Sequence, residues 1–215
     1  MESTVLQAEG LGFAHPGEPA LLTGFGAAIG PGVTQLHGDT GSGKTTLLRL
    51  FAGILHGSGR LTLCGARPDL DPAAYGAKVF YVDPSTDAHD QVSGRAGTDS
   101  LAAGDADFDR TAWQELVSAF NLDEHIDKPM YMLSTGSKRK VWLAAALASS
   151  RPLVLLDEPT GGLDGPSVRA LWRRLAEVAG QGRQAVLVAS SERITAVPLA
   201  GTLELPATPP SATGR

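Results

Sequence analysis

Residues 33–53 read VTQLHGDTGSGKTTLLRLFAG, and the order of residue types in that stretch decides the architecture. A short β-rich run, VTQLH, feeds a glycine-rich loop, which feeds an apolar helical run, TTLLRLFAG. Inside it, Gly38 to Thr45 has the form G-x-x-x-x-G-K-[ST], in the strand–loop–helix context that this string requires. Glycines at 38, 41 and 43 let successive backbone N–H groups turn inward as a nest for phosphate, and a helix starting near Lys44 aims its positive end at the same place. Lys44 is placed to reach β- and γ-phosphates, and the Thr45 hydroxyl to ligate Mg²⁺. Asp39, Thr40, Ser42 and Thr46 complete the expected nucleotide-binding stretch.

Working outward, further β-rich runs alternate with helical ones. KVFYV ends at Val82, LVLLD at Asp157, and AVLVA runs from Ala185 to Ala189. LVLLD and AVLVA are continuously apolar, as strands covered on both faces must be. The alternation predicts an α/β fold, a P-loop NTPase with a mostly parallel sheet flanked by helices and a small N-terminal antiparallel β region. Between about 84 and 150 the pattern changes: a polar stretch leads to DRTAWQELVSAF, where Trp113, Leu116, Val117 and Phe120 share a face, which predicts an inserted helical subdomain. A helix is expected from Pro166 to Val178, with Pro166 in its first turn and Gly180 ending it. Residues 1–205 read as one domain, and 206–215, PATPPSATGR, as a disordered tail.

At 215 residues the chain is long enough for one sizeable core and too short for two full domains. Its net charge of -5, from 18 basic and 23 acidic residues, supplies no basic field of the kind that drives nonspecific nucleic-acid binding, so nucleic acid is an unlikely partner. One cysteine, Cys64, forms neither an internal disulfide nor a multi-cysteine zinc site. The opening MESTVLQAEG lacks the basic and apolar regions of a secretory signal, and no apolar run reaches the roughly 18 residues of a membrane span. Any action at a membrane is therefore expected to pass through a partner.

LVLLDEP ends an apolar run with two adjacent carboxylates. Alternation at a strand end lets Asp157 face the phosphate loop and the Mg²⁺ shell, while Glu158 orients or deprotonates an attacking water. LSTGS, Leu133 to Ser137, opens the helix KRKVWLAAALASS with Ser134 or Ser137 as N-cap, and reads as a second anion receptor. If two copies pair head to tail, the turn at Ser134, Thr135 and Gly136 closes over the γ-phosphate held by the other copy. Lys138, Arg139 and Lys140 read as a solvated helix face, and His37, His56, His89 and His125 as surface or structural residues.

The order of these motifs resembles the ATP-binding subunit of ABC transporters over about Val5 to Leu205. GDTGSGKTT matches Walker A, LSTGS is a variant of the LSGGQ signature, LVLLDE matches Walker B, and GGLD (Gly161 to Asp164) matches the D-loop. The resemblance implies ATP and Mg²⁺ as ligands, Glu158 as the catalytic carboxylate, a homodimer closed by ATP, and a separate transmembrane permease. Such a subunit lies on the cytoplasmic face of the plasma membrane, held there by that permease. It also implies that LGFAHPG places His15 where an aromatic residue stacks on adenine, with Phe13 as the competing assignment. Two departures stand out. The family's glutamine after the strand matching KVFYV is missing, leaving Asp83, Pro84, Ser85 or the more distant Gln91, and the family's histidine after AVLVA is replaced by Ser191, a neutral γ-phosphate contact. The short chain further resembles the ATPase subunit of the haem-export system of cytochrome c maturation. Alternatives are a non-transport ABC ATPase acting on a protein or nucleic-acid complex, and a low-turnover ATP-dependent regulatory module.

Overall fold

The computed structural model describes residues 4–83 and 86–205. Three strands, β1 (Leu6–Ala14), β2 (Ala20–Ile29) and β4 (Ser58–Leu63), form an antiparallel sheet in the order β2-β1-β4. Five others, β3 (Gly32–His37), β5 (Val79–Tyr81), β6 (Leu153–Asp157), β7 (Ala185–Ser190) and β8 (Gly201–Glu204), form a parallel sheet in the order β5-β6-β7-β3-β8. Side chains alternate across each strand, so the parallel sheet feeds two cores. Val33, Val154, Leu156, Val186 and Val188 face one side, packed with α5 (Thr135–Ala148), α6 (Gly165–Gln181), the Trp113, Leu116 and Val117 stripe of α4 (Arg110–Ala119) and Phe120, which follows that helix. Leu36, Leu153, Leu155, Leu187 and Ala189 face the other, packed with α1 (Lys44–Phe51) and the antiparallel sheet. All six residues of β7 are buried, as its uninterrupted apolar run requires.

α2 (Pro72–Gly76) precedes β5, and α3 (Gly94–Ala102), α4 and α5 lie between β5 and β6. The helix expected to stop at Gly180 continues to Gln181. It ends on Gly182, which takes the left-handed conformation (φ 61°) of a helix C-terminal glycine; Pro166 sits in its first turn as expected, with Asp164 as N-cap. Pro84, Ser85 and the stretch 206–215, on which two expectations rest, lie outside the described residues. Among the described residues no helix is long and apolar enough to cross a membrane.

Candidate functional site

The loops leaving the carboxyl ends of β3, β6 and β7 meet in an open recess of about 750 Å³, the place where parallel α/β sheets bind ligands. It is lined by Thr40, Gly41, Gly43, Lys44, Thr45, Thr46, Asp157, Glu158 and Ser191. The structure thus gathers most of the phosphate-loop residues with both carboxylates and Ser191. Gly38, Asp39 and Ser42 shape the loop behind it. Gly43 has φ 96°, and a Cβ there would lie 2.8 Å from Leu21, so both backbone conformation and packing demand glycine. As the N-cap of α1 it offers no side-chain cap, and the first-turn N–H groups, which no helix pairs internally, are left for an anion. Ser42 Oγ is buried without a hydrogen-bond partner, a donor kept inside the loop.

Lys44 is only 6% exposed, and its ammonium is fully engaged. It donates to the carbonyls of Gly38 (2.7 Å) and Asp39 (3.0 Å) and lies 3.3 Å from Glu158 Oε1. Asp39 therefore contributes its main chain, while its side chain is exposed. The Thr45 hydroxyl donates to Asp157 Oδ2 at 2.7 Å. These two hard oxygens fit Mg²⁺: adjacent ligands of an octahedral Mg²⁺ at roughly 2.05 Å sit about 2.9 Å apart. Burial pushes the Asp157 carboxyl above the usual carboxylate range, and the Glu158 charge adds to the rise against the Thr45 hydrogen bond. A carboxylate so costly to ionise is suited to a cation that repays the cost. Among the described residues, no group of three or more His, Cys, Asp or Glu side chains is gathered as a metal cage. One carboxylate and one hydroxyl match the way Mg²⁺ is held when phosphates complete its shell.

Glu158 has φ 42°, in the left-handed region that costs a non-glycine residue about 1 kcal/mol or more. Its N–H donates to Ala189 O (3.0 Å), and its Oε1 accepts from the Ser191 main-chain N–H (2.9 Å). Ser191 thus holds the carboxylate through its amide, a contact that its side-chain chemistry did not announce. His15 lies beside α1, with Nε2 3.5 Å from Thr46 Oγ1 and its ring edge-on to Phe13 at 4.9 Å. Phe13 packs against the core instead.

LSTGS does not line the recess. Ser134, not Ser137, caps α5, accepting from the Ser137 N–H (3.1 Å), and Ser134 and Thr135 are exposed. A Cβ on Gly136 would lie 2.6 Å from Gly162 O, so the signature-like turn packs directly on the GGLD loop. The solvated-face reading of Lys138, Arg139 and Lys140 is overturned. Lys140 is buried, ion-paired with Asp164 and bonded to Phe120 O; Arg139 donates to Gly161 O, and Lys138 pairs with Asp90. Their partners come from loops distant in sequence. Lys140 and the Ser167 N–H together hold the Asp164 carboxyl well below the usual range. Of the candidates for the missing glutamine, Asp83 is engaged by Arg49 and Gln91 is exposed. His37 pairs with Glu204 (2.8 Å) and His89 packs edge-on to Trp142, both away from the recess.

The family described as ABC transporter matches residues 29–161. The "Cytochrome c biogenesis ATP-binding export protein CcmA" of Rhodospirillum rubrum is 36% identical over 181 residues, which cover 83% of this chain and 77% of that protein. The "Zinc import ATP-binding protein ZnuC" of Halorhodospira halophila is 33% identical over 180 residues, 82% of this chain and 64% of that protein. A solved ATP-binding subunit of an ABC transporter superposes with a TM-score of 0.75 over 86% of this chain and 79% of that one; at 22% identity this is a likeness of fold. With the recess at the sheet's carboxyl edge and the family match over more than half its length, this chain belongs to the ABC transporter family, as one of its ATP-binding subunits.

Proposed function

We propose that this chain hydrolyses MgATP as one of two copies that enclose the nucleotide between them, and that the cycle drives a separate transmembrane permease at the cytoplasmic face of the membrane. The observation that carries this reading is the convergence of Thr45 on Asp157 and of Lys44 on Glu158 within one recess. Residues 1–205 act as one ATP-binding domain, with the helices within 84–150 as a subdomain.

In this reading, the loop from Gly38 to Gly43 and the N-terminus of α1 cradle the phosphates, with Thr40, Ser42 and Thr46 adding hydroxyls and His15 flanking the adenine. Lys44 exchanges its contact with Glu158 for the β- and γ-phosphates. Thr45 and Asp157 hold Mg²⁺, which neutralises charge developing on the phosphate oxygens. Glu158, aimed by the Ser191 amide, orients the water and accepts its proton. The water oxygen then bonds to the γ-phosphorus as the bond to the bridging oxygen breaks, and ADP and phosphate leave. Ser134, Thr135 and Gly136 of one copy close over the γ-phosphate bound to the other. The cargo is left to the membrane component, since relatives of similar identity are named for export in cytochrome c biogenesis and for zinc import.

The low-turnover alternative draws on the serine at 191, but the amide of that same residue places Glu158, which favours hydrolysis. Steady-state phosphate release, with and without the membrane protein that co-purifies with the chain, is the test. The proposal predicts turnover that requires Mg²⁺ and Glu158; ATP binding without any release in the intact complex would overturn it.

A further inference from the structure

Thr45 and Arg49 lie four residues apart in α1 and so share one face of it. Thr45 bonds to Asp157 at the end of β6. One turn on, Arg49 donates to Asp83 Oδ2 from Nε (3.1 Å) and Nη2 (2.6 Å). β5 and β6 are parallel neighbours with Tyr81 opposite Leu155, so Asp83 and Asp157 follow at the same level of the sheet edge. The phosphate-loop helix therefore carries two polar rungs side by side, and the second has no part in the mechanism above.

The Arg49–Asp83 rung is half-sheltered, with side chains 35% and 27% exposed, so water screens it only in part. Its charge reaches the neighbouring rung, where Asp83 adds to the rise of the Asp157 carboxyl. It also reaches Tyr81, whose hydroxyl is pushed up to about 12 by burial and then by the charges of Asp157 and Asp83. The Arg49 guanidinium offsets part of that field while holding its source in place.

Resting on the MgATP reading, we propose that Asp83 and Arg49 are positioning residues that set how strongly ATP binding depends on Mg²⁺. Asp83, fixed by Arg49, lends negative charge to the cation's place beside Asp157 and opposes the phosphates, and Arg49 limits both effects. The two residues then act with opposite sign. Asp83→Asn takes away attraction for the cation and repulsion of the phosphates. Arg49→Met leaves Asp83 unbalanced and increases both. A tie that served only to hold α1 to the sheet would weaken binding in the same direction whichever end was cut.

The experiment is calorimetric titration of ATP into the full chain, in EDTA and across a series of Mg²⁺ concentrations at low temperature, with melting temperatures recorded alongside. Asp83→Asn is expected to raise the half-effective Mg²⁺ concentration by about three- to tenfold while keeping or tightening binding in EDTA. Arg49→Met is expected to lower that concentration by a similar factor and to weaken binding in EDTA, and the double variant to return towards the parent. Shifts of the same sign in both single variants, or lower melting temperatures with an unchanged Mg²⁺ requirement, would overturn the proposal. Should Arg49→Met fail to fold, Arg49→Lys, which keeps the charge, is expected to match the parent, and the sign seen with Asp83→Asn still decides. A parent chain that bound ATP no better than Lys44→Ala would instead refute the MgATP reading itself.

Discussion

The glycine-containing turns that open α1 and α5 treat the helix end in opposite ways. At α1 the N-cap is Gly43, with no side chain to pair the first-turn N–H groups, and a buried lysine stands beside them. At α5 the N-cap is Ser134, whose hydroxyl satisfies the Ser137 N–H. An uncapped terminus with a sheltered cation beside it suits an anion within one chain, which is its role in the function proposed above. The self-capped terminus leaves Ser134 and Thr135 exposed, and in the function proposed above this is the surface that meets the nucleotide of a second copy. The same kind of sequence signal, glycine and hydroxyl residues before an apolar helix, thus serves two ends that the cap residue distinguishes.

The largest effect tests whether the second turn serves a second copy. Glu158→Gln is expected to lower turnover by about 10²- to 10⁴-fold, the usual contribution of a positioned base, and to leave an ATP-bound dimer visible by light scattering. Adding Gly136→Asp should return that dimer to monomers that still bind ATP; a dimer that survives would remove the turn from the interface. Next comes the first turn itself. Lys44→Ala removes the cation from the open helix end and should weaken ATP binding by roughly a hundredfold, from the loss of charge-assisted hydrogen bonds. Unchanged affinity in the folded variant would refute the MgATP reading.

Smaller effects sharpen the contrast. Ser134→Ala deletes a cap, costs about 1 kcal/mol and should lower the melting temperature by roughly 2–4 °C, while ATP affinity of the single copy stays at the parent value. A loss of affinity there would show that Ser134 already touches nucleotide in cis. The smallest is Asp157→Asn. The folded-state carboxyl titrates above its ordinary value of 3.8, so its ionised form opposes folding at neutral pH. Removing the charge should raise the melting temperature slightly at pH 7, and the gain should fade as the pH falls through the raised folded-state value towards 3.8 and be gone below it, where the carboxyl is protonated folded or unfolded. The Mg²⁺ dependence of ATP binding should weaken in the same variant.

The parts of this molecule legible in its sequence are those where a local pattern has one physical solution. LVLLD and AVLVA admit little but covered strands, and GDTGSGKT between strand and helix admits little but a phosphate loop. What stayed hidden depends on partners brought from afar. Lys140 reads as an exposed cation until Asp164 and Phe120 O are brought against it. Arg49 draws no reading of its own within the run TTLLRLFAG, although its place four residues after Thr45 puts it on the same helix face, towards the sheet edge. Ser191 reads as a poor replacement for histidine by side chain, whereas the contact it makes is through the backbone. Gly180 reads as the helix end, yet it stays helical, and the left-handed conformation falls on Gly182.

The position of β3 carries a consequence for synthesis on the ribosome. The strand that leads into the phosphate loop is sandwiched between β7 and β8, with Gly32 opposite Ala185 and His37 opposite Glu204. Its neighbours therefore emerge some 150 residues after it does, and a parallel sheet with such distant pairings is a late-forming structure. A nascent chain holds its phosphate-loop motif from residue 45 onward but has no sheet neighbour to mount it on until β7, ending at Ser190, has emerged. Nucleotide then stabilises only finished molecules, and a product truncated before β7 lacks the frame needed to compete with intact copies for ATP.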